Sequence, residues 1–373
     1  MRRYPARLLR SRHARAATSV RIWPKPSDSV EVGRNFTLPV SADPSPPLLS
    51  EAQRQCVDDV AARLDAVAAD LGAADGPEAH ARLADRTIEV LRGLRDEAGP
   101  ADWAAVAVPA VRAHPLGALM HACPLTRHAF ARPRGYPGDA GLLDLIYRHP
   151  DADAAVAAAS AAGRAAYAVT AGTAPCAAVR ERRRILAGAI DRAAVERPGA
   201  AVLAVACGHL REAEISAALR EGRIARLLAT DQDRASLALV AGRARDLSPS
   251  IAARRLSVRD FIAARATTEA EIGRFDLVYA AGLYDYLDDR IAARLTRRLF
   301  GLLRPGGRLL VGNFLTGLRE EAYMDAVMDW QLLYRGEAQI RAFAAEISEV
   351  DLAGQRYFAD SGGCVGYLEL ERA

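Results

Sequence analysis

The sequence predicts an α/β protein in which a doubly wound, mostly parallel sheet follows an all-helical N-terminal part. Up to about residue 172 the apolar residues recur at helical spacing, and beyond it short apolar runs alternate with helical segments. Near the end, the runs QRYFAD and CVGYLELER flank the tripeptide SGG. Two apolar runs around a glycine-rich turn are typical of an antiparallel strand pair, which we expect to close the sheet.

The first part of the chain is predicted to contain a tail and a helical cap. Residues 1–47 are rich in arginine and proline and are predicted to be disordered. Ser50 and Gln53 form a capping-box pattern that begins a helix ending near Leu71. Further helical patterns cover residues 79–97, 102–111, 116–130, 140–147 and 152–169. We therefore predict a cap or substrate domain over residues 48–172.

The second part, residues 173–373, is predicted to be the ligand-binding domain. Its strands are expected in the runs VLAVAC, RLLATD, RRLSVRD, FDLVYAAG and GRLLVGNF. The first run ends in a tight turn at Cys207-Gly208, which predicts a helix N-terminus whose backbone N–H groups face a ligand. The second run ends at Asp231, and an ionised carboxylate there can accept both hydroxyls of a ribose.

Composition argues against several classes of function. The first 26 residues hold eight of the 50 basic residues and no acidic residue. The remainder has 42 basic and 46 acidic residues, so it has no excess of positive charge with which to bind a nucleic acid. No apolar stretch reaches 18 residues, so no membrane span is expected. The five cysteines are scattered without a C-x-x-C pair, which favours a reducing cytoplasm. His121, Cys123 and His128 lack a further ligand, and no metal site is predicted.

Five local motifs, in this order along the chain, resemble the class I S-adenosylmethionine (SAM) dependent methyltransferases. They are Cys207-Gly208, Asp231, Asp260-Phe261, Tyr284-Asp285 and the run LLRPGGRLLVGNF. The combination of RGYPGDAG, ACGHLREAE and AGLYDYL is similar to a bacterial branch of that family. The resemblance implies a Rossmann-like fold, SAM as cofactor and methyl transfer to a small molecule.

The resemblance also implies roles for individual residues. The implied cofactor contacts are Ala206, Cys207, Gly208, His209, Glu212, Asp231, Gln232, Asp260, Phe261 and Gly282. The catalytic candidates follow the fourth strand, where the family places substrate-facing residues: Tyr284 and Asp285, with Asp285 as proton acceptor. The predicted substrate contacts are Arg134 and Tyr136 in a rigid loop of the cap, Asn313 at the end of the fifth strand, and Tyr334.

The turn after the first strand departs from the family pattern. Where the family commonly has an acid and three alternating glycines, this chain has Ala204, Ala206, Gly208 and Leu210. We expect His209 and Leu210 to occupy space that glycines leave to the cofactor. Glu212 and the arginines between 180 and 184 are then the groups available for the methionine end of SAM.

Alternative interpretations remain open at this stage. The chain is either a methyltransferase, a SAM-consuming cyclase that forms azetidine-2-carboxylate and methylthioadenosine, or a SAM-binding regulator without catalysis. Crowding by His209 and Leu210 would suit the bent cofactor that cyclisation requires. Asp231, Asp260 and Asp285 each have a structural alternative as well, because each precedes a predicted helix and could cap it.

Overall fold

Within the residues that the computed structural model describes, 49–70, 76–263 and 269–373, seven strands form one sheet. They are β1 (Ala200–Val205), β2 (Ile224–Asp231), β3 (Ile251–Arg255), β4 (Phe275–Ala281), β5 (Leu303–Phe314), β6 (Leu352–Ala359) and β7 (Val365–Arg372). Their spatial order is β3-β2-β1-β4-β5-β7-β6. The first five strands are parallel, whereas β7 runs antiparallel to both β5 and β6.

This architecture confirms the predicted doubly wound, mostly parallel sheet with an antiparallel C-terminal pair, a Rossmann-like arrangement. Every residue of β1 is buried, as expected for a central parallel strand covered on both faces. One boundary was wrong, because the third strand was expected to include the run VRD. It ends at Arg255 instead, and Ser257 caps a helix that begins at Val258.

The chain reverses its direction of winding between β1 and β4, and this places the site. From β1 the sheet extends through β2 and β3 on one side and through β4 and β5 on the other. The connections on the two sides leave in opposite directions, so a crevice opens outside the carboxyl ends of β1 and β4. The residues that follow these two strands therefore lie together.

Helices precede and surround the sheet. Those before β1 are α1 (Glu51–Ala69), α2 (Pro77–Asp102), α3 (Val108–Ala113), α4 (Pro115–Met120), α5 (Pro124–Ala131), α6 (Ala140–Tyr147), α7 (Asp153–Ala157), α8 (Ala161–Thr170) and α9 (Ala174–Glu196). Those after it are α10 (Ala217–Arg220), α11 (Arg234–Leu247), α12 (Val258–Ile262), α13 (Glu269–Ile272), α14 (Asp289–Phe300), α15 (Glu321–Ala326) and α16 (Glu337–Arg341).

The helical cap agrees with the prediction in type and differs in its breaks. Ser50 and Gln53 form the expected capping box at α1. The patterns at 116–130 and 152–169 are each divided into shorter helices, because Pro124 begins α5 without a backbone N–H and Ser160 caps α8. Gly99, with φ +70°, interrupts α2 before Pro100.

The predicted domain limits can be compared with the elements of the structure. The boundary between residues 172 and 173 lies between α8 and α9, and it stays a prediction, since residues 49–373 form one compact unit. The segment 1–47 lies outside the described residues. Among the residues that are described, none of the helices has the length and apolarity needed to cross a membrane.

One buried arginine ties the cap to the turn after β1. Arg211 is 1% exposed and donates from Nε and a terminal nitrogen to the two oxygens of Asp144 on α6, each at 2.7 Å. It also donates to Asp151 at 2.6 Å and to Glu214 at 2.8 Å. Burial raises the pKa of Asp144, but the bonds from His209 and Arg211 outweigh it and bring the pKa to about 2. The network is therefore ionised and bidentate, the strong form of such pairs.

Candidate active site

The turn after β1 has left-handed backbone at the three positions where the predicted motif would have glycine. The φ angles of Ala206, Gly208 and Leu210 are +52°, +53° and +53°. Such angles cost energy at alanine and leucine, so the surrounding structure must hold them. The Cys207 N–H donates to the Thr230 carbonyl at 3.0 Å, which ties the turn to β2. A helix N-terminus was expected directly after the turn, but a short 3-10 turn and the four-residue α10 follow.

Asp231 lies at the end of β2, against this turn. Its Oδ2 accepts the Gly208 N–H at 2.9 Å and its Oδ1 accepts the Asp233 N–H at 2.8 Å. The carboxylate is 5% exposed, and burial raises its pKa. Asp231 does not cap α11, because Asp233 holds that position. An aspartate that is buried without a capping role has carboxylate lone pairs left for a ligand.

His209 and Leu210 have contacts in the cap and in the core. The His209 Nδ1 is 2.8 Å from Asp144 Oδ2, and its Nε2 is 2.9 Å from a terminal nitrogen of Arg134. Leu210 is 2% exposed and packs in the core. Both residues line a small cavity beside the turn together with Cys207 and Glu212, so the expected crowding of the cofactor stays a prediction.

A second buried arginine lies at the carboxyl end of β4. Arg182 on α9 is 4% exposed, and no carboxylate of a described residue lies within 4.0 Å of its guanidinium. The groups that act on it electrostatically include Tyr147, Tyr367 and Asp285. Gly282, with φ +87°, permits this approach, because a Cβ there would be 2.7 Å from an Arg182 terminal nitrogen. The Tyr367 hydroxyl is buried and has no hydrogen-bond partner among the described residues.

Acidic groups flank Arg182 without neutralising it at close range. Glu212 follows the turn after β1, and it accepts a hydrogen bond from the Tyr279 hydroxyl at 2.7 Å. Burial raises the pKa of the Glu212 carboxyl, whereas Tyr279 and Arg182 act to lower it. The crevice thus carries a guanidinium and two carboxyls, those of Glu212 and Asp285. Such a set of groups can bind a zwitterion.

The two catalytic candidates after β4 point in different directions. The Tyr284 hydroxyl is 2.9 Å from Thr296 Oγ1 of α14, in the core, and the residue is fully buried. Asp285 accepts the Phe314 N–H at 2.7 Å, and burial raises the pKa of its carboxyl to about 6. Asp288 caps α14, so Asp285 has no capping role. Asp285 is thus placed to accept a proton, whereas Tyr284 is placed to support the strand end.

The predicted loop of the cap lies over this edge of the sheet. Arg134 donates to Asp233 and to Ser236 Oγ, both at 2.6 Å, so it fastens the loop to the turn after β2. Burial raises the pKa of Tyr136, and the charges of Asp231 and Asp233 act in the same direction. Asp139 caps α6 as expected, through the Leu142 N–H at 2.9 Å.

The remaining predicted residues lie around the crevice or behind it. Asp260 bonds Ser257 in the capping box of α12, and Phe261 is 2% exposed in the core. The Asn313 side-chain oxygen accepts a hydrogen bond from the Arg335 guanidinium, and its nitrogen donates to two backbone carbonyls. Cofactor or substrate contacts for the following residues stay predictions: Cys207, half-buried in the turn; Gln232, exposed at the rim; and Tyr334, whose hydroxyl donates to Met324 Sδ at 3.7 Å.

Sequence reasoning did not single out Arg182 or Tyr367. Arg182 is one of four arginines between residues 180 and 184, and these four were predicted only as a group. Tyr367 lies on β7, which joins the sheet beside β5 only through the antiparallel return of the chain. The one available signal was apolar periodicity along α9, since Val179, Arg182 and Leu186 are buried on one face.

A further group of potential metal ligands lies at the cap interface. Asp144, His149 and Asp151 offer ligand atoms within 4.8 Å of one another. Arg211 already donates to both carboxylates of the group. A guanidinium in that position competes with a cation, so the arrangement is that of an ion-pair network.

No family model matches this chain, and no curated protein sequence matches it. A possible exported protein from Bordetella parapertussis is 19% identical, with a TM-score of 0.53 over 80% of this chain and 97% of that chain. The N-methyltransferase NodS from Bradyrhizobium japonicum is 16% identical, with a TM-score of 0.36 over 51% of this chain and 95% of that chain. Magnesium protoporphyrin IX methyltransferase from Synechocystis with bound SAM is 14% identical, with a TM-score of 0.38 over 53% and 84%. The first likeness concerns the fold alone, and the other two are too distant to argue from.

The close contact of the cap loop with the site predicts the effect of one substitution. A Cβ at Gly138 would overlap the Tyr286 hydroxyl and lie 3.0 Å from Trp330 Cζ2. The Gly138→Ala protein is therefore expected to displace the loop and to bind SAM about tenfold more weakly, as measured by calorimetry. Gly188→Ala on α9 is the control, because a Cβ there meets no atom within 4 Å. Equal SAM affinities of both variants would contradict a role for the loop in binding.

Proposed function

We propose that this chain binds SAM in the crevice at the carboxyl ends of β1, β2 and β4 and transfers its methyl group to a small molecule. The observation that carries the proposal is the buried Arg182, which has no carboxylate of a described residue within 4.0 Å yet lies beside two acidic groups. Burial acts to lower the pKa of Arg182, whereas Tyr147, Tyr367 and Asp285 raise it and keep the cation favoured, and a bound anion would add to that stabilisation.

The residues present fit the two ends of SAM. Arg182 and the unpartnered Tyr367 hydroxyl would hold the carboxylate of the methionine end, and Glu212 its ammonium group. Asp231, at the end of the neighbouring strand β2, would accept the ribose hydroxyls. The fit does not depend on glycines in the turn, because Ala206 and Leu210 keep the left-handed backbone.

Methyl transfer requires this chain to position the two reactants and to supply one proton acceptor. Bound SAM supplies a methyl group on a sulfonium, which is electrophilic without further activation. The cap and the loop at 132–139 exclude water and orient the acceptor above the strand ends. Asp285 receives the proton from the acceptor's nucleophile, because its carboxyl has a pKa of about 6 and is ionised at neutral pH.

Product analysis tests the reaction. We expect S-adenosylhomocysteine to form from SAM only when an acceptor is supplied from a panel of small hydroxyl, amine and carboxyl compounds. Methylthioadenosine formed from SAM alone would instead establish the cyclase alternative. Tight SAM binding without turnover in any mixture would favour the regulator. The product decides between these alternatives, because His209 and Leu210 line the cavity beside the turn and crowding there is what cyclisation would use.

Arg182 provides a test of the binding mode. Arg182→Met is expected to weaken SAM binding by about 10- to 100-fold, because one charge-assisted contact contributes roughly 1.5–3 kcal/mol. Its affinity for methylthioadenosine, which lacks the amino-acid end, is expected to stay unchanged. Arg184→Met on the same helix is the matched control, since Arg184 is exposed. Equal losses for both ligands would show that Arg182 does not hold the methionine end.

The charge of the chain outside its N-terminal 26 residues supports a small-molecule acceptor over a nucleic acid. Location in the cytoplasm stays a prediction. The five cysteines have no disulfide in the structure, including Cys123, Cys176 and Cys364, which are buried. Free thiols agree with a reducing compartment.

A further inference from the structure

A pocket of about 400 Å³ opens in the cap, away from the crevice at the strand ends. Its volume is within the range of small-molecule sites, which is roughly 300–1,000 Å³. The apolar part of its wall consists of Val111 of α3, Pro115 and Ala118 of α4, Phe130 of α5, and Ala326 and Val327 in and after α15. None of the residues proposed above to bind SAM lines it, so SAM does not account for this pocket.

The charge at the wall of the pocket is already paired. Arg112 is the only Arg, Lys, Asp or Glu among the described residues that line it. Its guanidinium pairs with the Asp329 carboxylate and donates to the Ala326 and Asp325 carbonyls at 3.0 and 2.8 Å. An anion would have to compete with these acceptors, and a cation would meet no carboxylate among the described residues of the wall. The pocket therefore favours an uncharged ligand.

Two histidines supply the side-chain hydrogen-bonding groups of the wall. His114 is fully used, because its Nδ1 accepts the Leu116 N–H at 3.2 Å and its Nε2 is 3.2 Å from an Asp65 carboxylate oxygen. The His121 Nε2 is 2.9 Å from the Val327 carbonyl oxygen, which can only accept, so Nε2 carries the hydrogen. Nδ1 of the neutral imidazole is then an acceptor, and no described residue donates to it. One ring nitrogen is thus left for a donor.

An aromatic ring accompanies this nitrogen at the wall. Phe130 is 41% exposed, and its ring centroid is 4.4 Å from that of His121. Aromatic rings pack favourably against one another when offset or edge to face, at centroid distances of about 4.5–7 Å. A planar ligand that packs against Phe130 would cover apolar surface and bring its substituents close to the His121 imidazole.

We propose that this pocket binds a small uncharged molecule with an aromatic ring and one O–H or N–H donor, the chemistry of a phenol or an indole. The ring packs against Phe130 and the apolar wall, and the donor bonds His121 Nδ1. The inference concerns a second ligand site and does not rest on the proposed function.

Three ligands that share one ring system test the pocket: 2-naphthol, naphthalene and 2-naphthoate. Their affinities for the wild type are measured by ligand-observed NMR in the absence of SAM. We expect 2-naphthol to bind about fivefold more tightly than naphthalene, because it makes one additional neutral hydrogen bond. We expect 2-naphthoate to bind most weakly, because the pocket offers its charge no free partner.

Two variants locate the ligand. Ala118→Trp places an indole in the pocket and should abolish binding of 2-naphthol. Ala155→Trp on α7 is the matched control, because Ala155 and Ala118 are both exposed and Ala155 does not line the pocket. His121→Phe keeps a ring and removes the acceptor nitrogen, so it should bind 2-naphthol and naphthalene equally.

Several results would overturn the inference. They are no binding of 2-naphthol to the wild type, equal binding to Ala118→Trp, and a preference for 2-naphthol that persists in folded His121→Phe. A wild-type dimer that Ala118→Trp dissociates, as measured by sedimentation, would instead assign the pocket to a contact between two copies of the chain. None of these measurements uses SAM, so their outcome is independent of the proposed function.

Discussion

The Asp285→Asn protein is expected to bind SAM like the wild type and to lose about 10²- to 10⁴-fold in methyl transfer, because it cannot accept a proton. The amide is nearly isosteric, and its oxygen can still accept the Phe314 N–H that holds this side chain. Binding is measured by calorimetry and turnover by formation of S-adenosylhomocysteine with an acceptor found in the product screen. Loss of turnover with intact binding distinguishes proton transfer from folding.

The pH dependence provides a second readout for the same residue. Burial raises the pKa of Asp285 to about 6, so the carboxyl is protonated and inactive as an acceptor below that value. The kcat/KM of the wild type should fall as pH drops through about 6 and should level off above it. Asp285→Asn should lack this limb, and Asp351→Asn, at an exposed position, should retain it. An unchanged limb in Asp285→Asn would assign the proton to another group.

The Asp231→Ala protein is expected to bind SAM about 100-fold more weakly, through the loss of two hydrogen bonds from ribose to a charged group. It should also melt at a lower temperature, because the half-buried Gly208 and Asp233 N–H groups lose their acceptor. A loss of affinity alone would therefore not separate a ligand contact from a structural role.

Two ligands that differ only in the ribose hydroxyls separate a ligand contact of Asp231 from a structural role. The wild type should bind methylthioadenosine far better than the 2′,3′-dideoxy analogue, and Asp231→Ala should bind the two almost equally. Asp246→Ala, at an exposed position near the end of α11, should keep the wild-type preference. If Asp231→Ala also keeps that preference, the ribose lies elsewhere.

The order of elements and the edge of the sheet that carries the site could be predicted from the sequence, because apolar runs and capping residues act locally. The directions of neighbouring side chains could not. Tyr284 and Asp285 are adjacent, yet they lie in a tight 3-10 turn that sends one side chain into the core and the other towards the crevice. Packing against α14 and β5 determines the direction of each of these two side chains.

The same limit applies to the arginines of α9. The rotation of that helix against the sheet buries Arg182 and leaves Arg184 exposed, and only the apolar periodicity of α9 indicates that rotation in the sequence. His209 shows the converse. Its place in the turn indicated a position beside the ligand, but the left-handed residues around it direct the imidazole to Asp144. Ion pairs between distant parts of the chain determine the direction of such a side chain.

The turn after β1 also bears on how proteins with the same backbone turn can be recognised. A motif that demands glycine at all three positions passes over a protein in which Ala206 and Leu210 take the same left-handed angles. At this turn the path of the backbone does not require glycine, because neighbouring contacts hold the strained angles. A search by φ angles would therefore find this turn, whereas a search for glycines would not.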